Sequence, residues 1–209
     1  MVSSGFPLPL RNALAELTIA ALEDADARRA LAWLATPTAV LSPEAAARLA
    51  AVHLIDPGGC ELLAVHEAHA DAVAAHAARA LRAAAGHVAG QTVADPISRA
   101  LRQAAALWRE RLFFEVHEVL EDVWQTAAGD VRQALQGIIQ IAVAYHHLAH
   151  GNRRGARTLM HEGRARLAAV PATTLPRLDA PALLAATAAA DDALSAGGVP
   201  DDVCALVVG

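Results

Sequence analysis

The chain contains no lysine, only two cysteines and only 3% aromatic residues, and it has no long apolar run. Cys60 and Cys204 lack CxxC spacing, so neither a disulfide framework nor a thiolate zinc site is expected, and both thiols are read as reduced. No basic segment leading into an apolar one marks the N-terminus. No uninterrupted apolar stretch approaches the roughly 18 residues needed to span a bilayer. The sequence therefore predicts a cytoplasmic protein without a membrane segment. All 17 basic side chains are arginine, a bias ascribed to genome composition, because solubility needs only the charge. P-loop and GxGxxG phosphate cradles are missing, as is any Ser-His-Asp or Cys-His arrangement with a recognisable local context.

What is present is helix. Hydrophobic residues fill 55% of the 209 positions, many of them alanine, which suits helices packed closely through small side chains. The predicted fold class is all-α: a compact helical bundle with a C-terminal core and an N-terminal helical extension. Leu10, Leu14, Leu17, Ala21 and Leu22 mark a first amphipathic helix, expected to run on through Leu31 and Leu34 until Thr36-Pro37 stops it. Ser42-Pro43-Glu44 starts another, with an N-cap serine and a proline at the first helical position. After the turn Asp56-Pro57-Gly58-Gly59, a long helix is expected from about Glu61 to Ala85. Residues 86–95 read as a connector, and Asp95-Pro96 restarts the helical pattern. The organisation this implies is an N-terminal α-helical extension or small bundle over 1–92, a helical core over 93–172, and a short helix (about Pro181 to Ser195) with a tail over 173–209. The net charge of −5 divides unevenly, about +3 over residues 96–170 and about −8 elsewhere, so the core is mildly basic and the flanks acidic.

One segment departs from alanine-rich helix. Phe113-Phe114-Glu115-Val116-His117-Glu118-Val119-Leu120-Glu121-Asp122-Val123-Trp124 places four carboxylates and a histidine among seven large apolar side chains. At about 100° per residue, Leu112, Val116, Val119, Leu120 and Val123 form one apolar face. His117 and Glu121, four apart, fall at its edge, while Glu115 and Asp122 are expected to stay in water. The next helix, about Asp130 to His150, carries a polar column of Gln136, Gln140 and His147 beside Leu135, Ile139 and Ala142. Buried amides and imidazoles need partners, since an unsatisfied one costs roughly 1 to 3 kcal/mol. The short Thr126–Gly129 connection implies an antiparallel hairpin, in which His117 and Glu121 would face Gln136, Gln140 or His147. Gly151 ends that helix and Asn152 caps the next. Arg153, Arg154 and Arg157 then occupy the first turns, where the helix dipole disfavours cations, so they are expected to be compensated, by Glu115, Glu118, Glu121 and Asp122 as the nearest anions or by a bound phosphate or acidic partner.

These two runs, FFEVHEVLEDVW and LQGIIQIAVAYHHLAHGNRRGA, resemble the bacterial and archaeal domain-of-unknown-function family 309. Its pattern is an aromatic-Glu-x-His-Glu-x-x-Glu helix, a Gln-Gly-x-Ile-Gln helix ending in His, and Gly-Asn-x-x-Gly-Ala. The resemblance covers about Ile97 to Leu167. It implies a small all-α bundle, a C-terminal family core, whose motif positions fall on Glu115, His117, Glu118, Glu121, Trp124, Gln136, Gly137, Gln140, His147, Gly151, Asn152 and Gly155. No settled activity comes with it. Family members often carry an Asn-x-Gly turn before the charged helix, whereas this chain reads Trp108-Arg109-Glu110-Arg111, so the turn is expected to be tighter, reshaped or replaced by continuous helix.

Three readings of this constellation stay open. The first is a non-enzymatic bundle, in which a hydrogen-bonded polar network fixes helix register and a face is offered to a protein partner or to self-association. The second is a divalent-metal site or metal-assisted hydrolase using His117, Glu121 and His147, or with Glu118 in place of His147 completing the set; the spacing is not HExxH, and hard-ligand metals would suit it better than zinc. The third is a metal-free small-ligand or acid–base site at the same place. Whether the protein is an enzyme is therefore open. His66, His69 and His76 are expected on a solvated face, and Trp108 and Trp124 in the core. Nucleic acid is not an expected partner: the chain is acidic overall, and no aromatic residues interleave with Arg153, Arg154, Arg157, Arg164 and Arg166.

Overall fold

The computed structural model describes residues 5–36, 40–87, 95–200 and 203–208. Among them the fold is all-α, with nine α-helices, one 3-10 helix and only two isolated antiparallel bridges. No helix among the described residues is long and apolar enough to cross a membrane. Two compact units divide the chain, one within residues 5–91 and one within 92–209. The connector expected over 86–95 lies mostly outside the described residues.

The first unit holds α1 (Leu8–Ala21), α2 (Ala25–Ala35), α3 (Pro43–Ala51), a 3-10 helix (Ala64–His69) and α4 (Ala70–Gly86). Helix α2 packs against α1, α3 and α4, and Leu10, Leu14, Leu17, Leu31, Leu49 and Val73 are among its buried side chains. The single helix expected from Leu10 to Leu34 is in fact two. Asp24 breaks it because its carboxylate accepts from the backbone N–H groups of Asp26 (2.7 Å) and Ala27 (3.3 Å), a local bond that competes with helix continuation. Arg28 closes the other side by donating to the Ala21 carbonyl. The helix expected from Glu61 to Ala85 likewise begins late, as the 3-10 turn, before α4.

His66 and His76, expected on a solvated face, are buried. His76 lies 3.2 Å from the Thr18 hydroxyl and edge-on to Phe6. Burial, with Arg79 adding a smaller push, lowers its pKa from 6.5 to about 4.

The second unit holds α5 (Pro96–Arg109), α6 (Phe113–Thr126), α7 (Gly129–Ala149), α8 (Arg153–Ala168) and α9 (Ala180–Ser195). Successive helices pack on one another, with α7 against α8 the most extensive pairing. Asp95 caps α5 by accepting from Ser98 N–H, as its sequence position suggested. The weakly patterned tail is docked. Trp108, fully buried, donates from its indole to the Cys204 carbonyl at 2.7 Å, and Tyr145 reaches the Cys204 sulfur at 3.5 Å. Trp108 meets Phe113 and Tyr145 edge-on while those two stack, so three of the few aromatic rings hold α5, α6, α7 and the tail together.

The α5–α6 turn forms without glycine. Arg111 N–H bonds the Trp108 carbonyl and Leu112 N–H the Leu107 carbonyl, a Schellman ending in which Arg111 sits at φ +57°. A side chain there carries a steric cost that glycine avoids. Arg111→Gly should therefore raise stability by about 1 kcal/mol, read as a melting-temperature increase of a few degrees.

His76 makes the first unit acid-sensitive. Its pKa is lower folded than unfolded, so the unfolded chain takes up the proton first as pH falls. Stability is then lost between pH 6.5 and about 4. The urea midpoint at pH 5 should fall by the equivalent of about 2 kcal/mol relative to pH 7, and His76→Phe should flatten that dependence.

Candidate functional site

Helix α6 is clasped by α5 on one side and α7 on the other, so its buried arc is wider than one stripe. Phe113, Glu115, Val116, Val119 and Leu120 are buried. Glu115 thus corrects the expectation that it stays wet: it is 3% exposed, on the same side as Val119 one turn on. Asp122 is exposed, as expected. His117, Glu118 and Glu121 sit at the boundary, with side chains 27%, 40% and 37% exposed.

The His117 ring lies between two carboxylates of its own helix. Nδ1 is 3.1 Å from Glu118 Oε1, and Nε2 is 3.1 Å from Glu121 Oε2. A neutral imidazole has one N–H, so both contacts are hydrogen bonds only when the ring is an imidazolium. These three residues offer donor atoms all within 4.8 Å of one another and are the one such group among the described residues. Of the two residues expected to complete a set with His117 and Glu121, Glu118 is in it and His147 is not.

The polar column of α7 turns the other way. Gln140 Nε2 donates to Glu162 on α8 at 2.9 Å, while its Oε1 is buried without a partner among the described residues. His147 Nδ1 lies 3.1 Å from the Asn152 amide. Burial, and His150 nearby, lower the pKa of this ring. Gln136 is half-buried. The column faces α8 because Gly137 lies on the same side and opens it. A Cβ on Gly137 would come 2.8 Å from the Gly163 carbonyl, and one on Gly163 would come 2.7 Å from the Gly137 carbonyl and 3.0 Å from Gln140 Cβ. Backbone meets backbone at that crossing, and α6 cannot also approach the same face.

The Gly-Asn-x-x-Gly motif is the hinge of this pair. Gly151 adopts φ +75°, where a left-handed conformation ends α7. Asn152 caps α8 by accepting from Gly155 N–H at 3.0 Å. A Cβ on Gly155 would stand 2.7 Å from the Asn152 amide nitrogen and 3.1 Å from the His147 ring. Asn152, His147 and Gly155 therefore form one unit. Arg153, Arg154 and Arg157 are exposed, and none pairs with Glu115, Glu118, Glu121 or Asp122 among the described residues. The expected ion pairs are a second correction, since α7 stands between α8 and α6.

Trp124 is half-buried, and Arg132 stacks on it with its guanidinium carbon 3.8 Å from the ring centroid. Arg132 also donates to the carbonyls of Trp124, Gln125 and Ala127, closing the end of α6. Trp124 is thus a stacking platform, not only an apolar anchor. Sequence reasoning passed over Arg132, Glu162 and Gly163. Arg132 was findable, because the last carbonyls of a helix need donors and a short hairpin brings one near. Glu162 and Gly163 gave no local signal.

Residues 101–159 match the model of the family described as Domain of unknown function (DUF309), a stretch narrower than the motifs suggested and less than a third of the chain. No curated protein and no solved structure matches this chain.

The crossing can be tested by adding methyl groups. Gly137→Ala and Gly163→Ala should each cost about 2 kcal/mol or more, lowering the melting temperature by at least about 4 °C. Gly86→Ala, where a Cβ meets nothing within 4 Å, should leave it unchanged or slightly raised.

Proposed function

We propose that the α5–α8 region is a non-catalytic helical scaffold that presents the half-exposed acidic face of α6 to a protein partner or a second copy. One observation carries this reading: the motif's polar groups are turned on each other. Gln140 takes Glu162, His147 takes Asn152, Asn152 takes the α8 N-terminus, and His117 takes Glu118 and Glu121. A general base needs a nitrogen free to accept a substrate proton, and the form of His117 that bonds both carboxylates, the imidazolium, has both nitrogens protonated. The remaining charge of the His117–Glu118–Glu121 group is anionic whether the ring is protonated or not, so it suits a basic partner surface.

A second reading rests on the same three residues. Donor atoms within 4.8 Å of one another could hold a divalent cation, with one nitrogen from His117 and one oxygen each from Glu118 and Glu121. A carboxylate-rich set favours Mn²⁺ or Fe²⁺ over Zn²⁺.

Elemental analysis and melting curves of tag-free protein separate the two. The scaffold reading expects less than about a tenth of an equivalent of metal and no stabilisation by Mn²⁺, Fe²⁺ or Zn²⁺. His117→Ala should then lower stability by only about 0.5 kcal/mol, as for a half-exposed ion pair. A metal-dependent rise in melting temperature of several degrees, lost in His117→Ala, overturns the scaffold reading in favour of the second.

A further inference from the structure

Helix α6 turns three acids outward. Glu118 and Asp122, four apart, share one stripe, and Glu121 stands beside them, half-exposed, with His117 between Glu118 and Glu121. Arg132, at the end of the helix, is stacked on Trp124 and bonded to three carbonyls, and Arg111 belongs to the turn before the helix, at the other end from Asp122. The stripe itself therefore stays anionic.

The start of α8 has the opposite sign. Arg153, Arg154 and Arg157 are exposed, and their side chains have no hydrogen-bond or ion-pair partner among the described residues. The acids on this side of the unit are engaged elsewhere: Glu162 accepts from Gln140, and Asp191 lies against Arg164 and His161. Arg153 and Arg157, four apart, share a face. Arg157 also borders an open cleft of about 360 Å³ with Thr158, His161 and Ser195, so the Ser195 hydroxyl adds a donor near the guanidinium.

Within one chain the two surfaces cannot meet, because α7 packs between α6 and α8. Between two chains they can. Resting on the scaffold reading of α6 given above, we propose that its acidic face docks on the start of α8 in a second copy of this chain, with Glu118 and Asp122 against Arg153 and Arg157. Charge complementarity selects that partner and register. Exposed ion pairs are individually weak, so the dissociation constant is expected on the order of 10 to 100 µM at low salt. It should rise as salt shortens the screening length.

The test is the mass of the tag-free full chain in solution, by sedimentation velocity, from about 5 to about 500 µM and at about 20 and 500 mM salt. Chelator is present throughout, so that an ion held by His117, Glu118 and Glu121 cannot bridge two copies. Mass should climb above the monomer with concentration at low salt and return to it at high salt. Glu118→Arg with Asp122→Arg, and separately Arg153→Glu with Arg157→Glu, should each weaken association at least about tenfold, since like charges then face each other. An equimolar mixture of the two variants restores both opposite-sign contacts and should associate within about threefold of the unaltered chain. Should the first pair fail to fold, Asp122→Arg with Gln125→Arg, both at exposed positions, replaces it. A monomer at every concentration, association that either swap leaves intact, or a mixture that stays monomeric overturns the proposal. The scaffold reading falls separately, by metal-dependent stabilisation, and a monomer without bound metal leaves it standing with a foreign partner.

Discussion

The second unit depends on the place where α7 and α8 touch through bare backbone. At Gly137 and Gly163 the two chains approach so closely that each carbonyl occupies the space of the other's absent Cβ. Close approach lengthens the stretch over which neighbouring side chains interlock, which is why this pair dominates the packing of the unit. It also fixes which way α7 faces. With Gly137 against α8, Gln140 one turn on is carried to Glu162 and His147 to the α8 N-terminus. The glycines and the amides of the motif are therefore one device: the first set the distance, and the second bond across it, Gln140 Nε2 to Glu162 and the Asn152 amide to His147.

What happens on α6 follows from this. With the polar column of α7 committed to α8, His117 has no polar partner across the hairpin among the described residues and finds two on its own helix, one and four residues on. The arginines at the start of α8 stay in solvent for the same reason. Their position near a positive helix end costs little there, because water and salt screen exposed charges within the first turn.

Legibility in the sequence followed the range of the interaction. Caps were readable, because Ser42, Asp95 and Asn152 act on N–H groups three residues ahead, and the chain order there is the geometry. So were the α6–α7 hairpin and the all-α class. Hydrophobic periodicity missed the break at Asp24, since Leu31 and Leu34 continue the apolar spacing of α1 while a single carboxylate ends it. It misplaced Glu115, because one stripe was assumed where two neighbours bury two. The direction of the Gln140 column was beyond local reading altogether. It is decided by Gly163, a residue twenty-three positions away that has no side chain to announce itself.

The histidines show why burial, not residue type, decides chemistry. His117 was marked by charged neighbours in sequence, and those neighbours are what occupy it. His66 and His76 lie in an alanine-rich stretch that reads as solvated, yet both are buried. His76 is met by the Thr18 hydroxyl from another helix, so its cost is balanced inside the fold. His66 has no such match for Nδ1 among the described residues. Helix, cap and crossing explain every other motif histidine without calling on anything outside the chain. Burial without a match is not confined to His66: Gln140 Oε1 and Trp124 Nε1 in the second unit are likewise buried without a partner among the described residues, so satisfaction inside the fold is incomplete in both units.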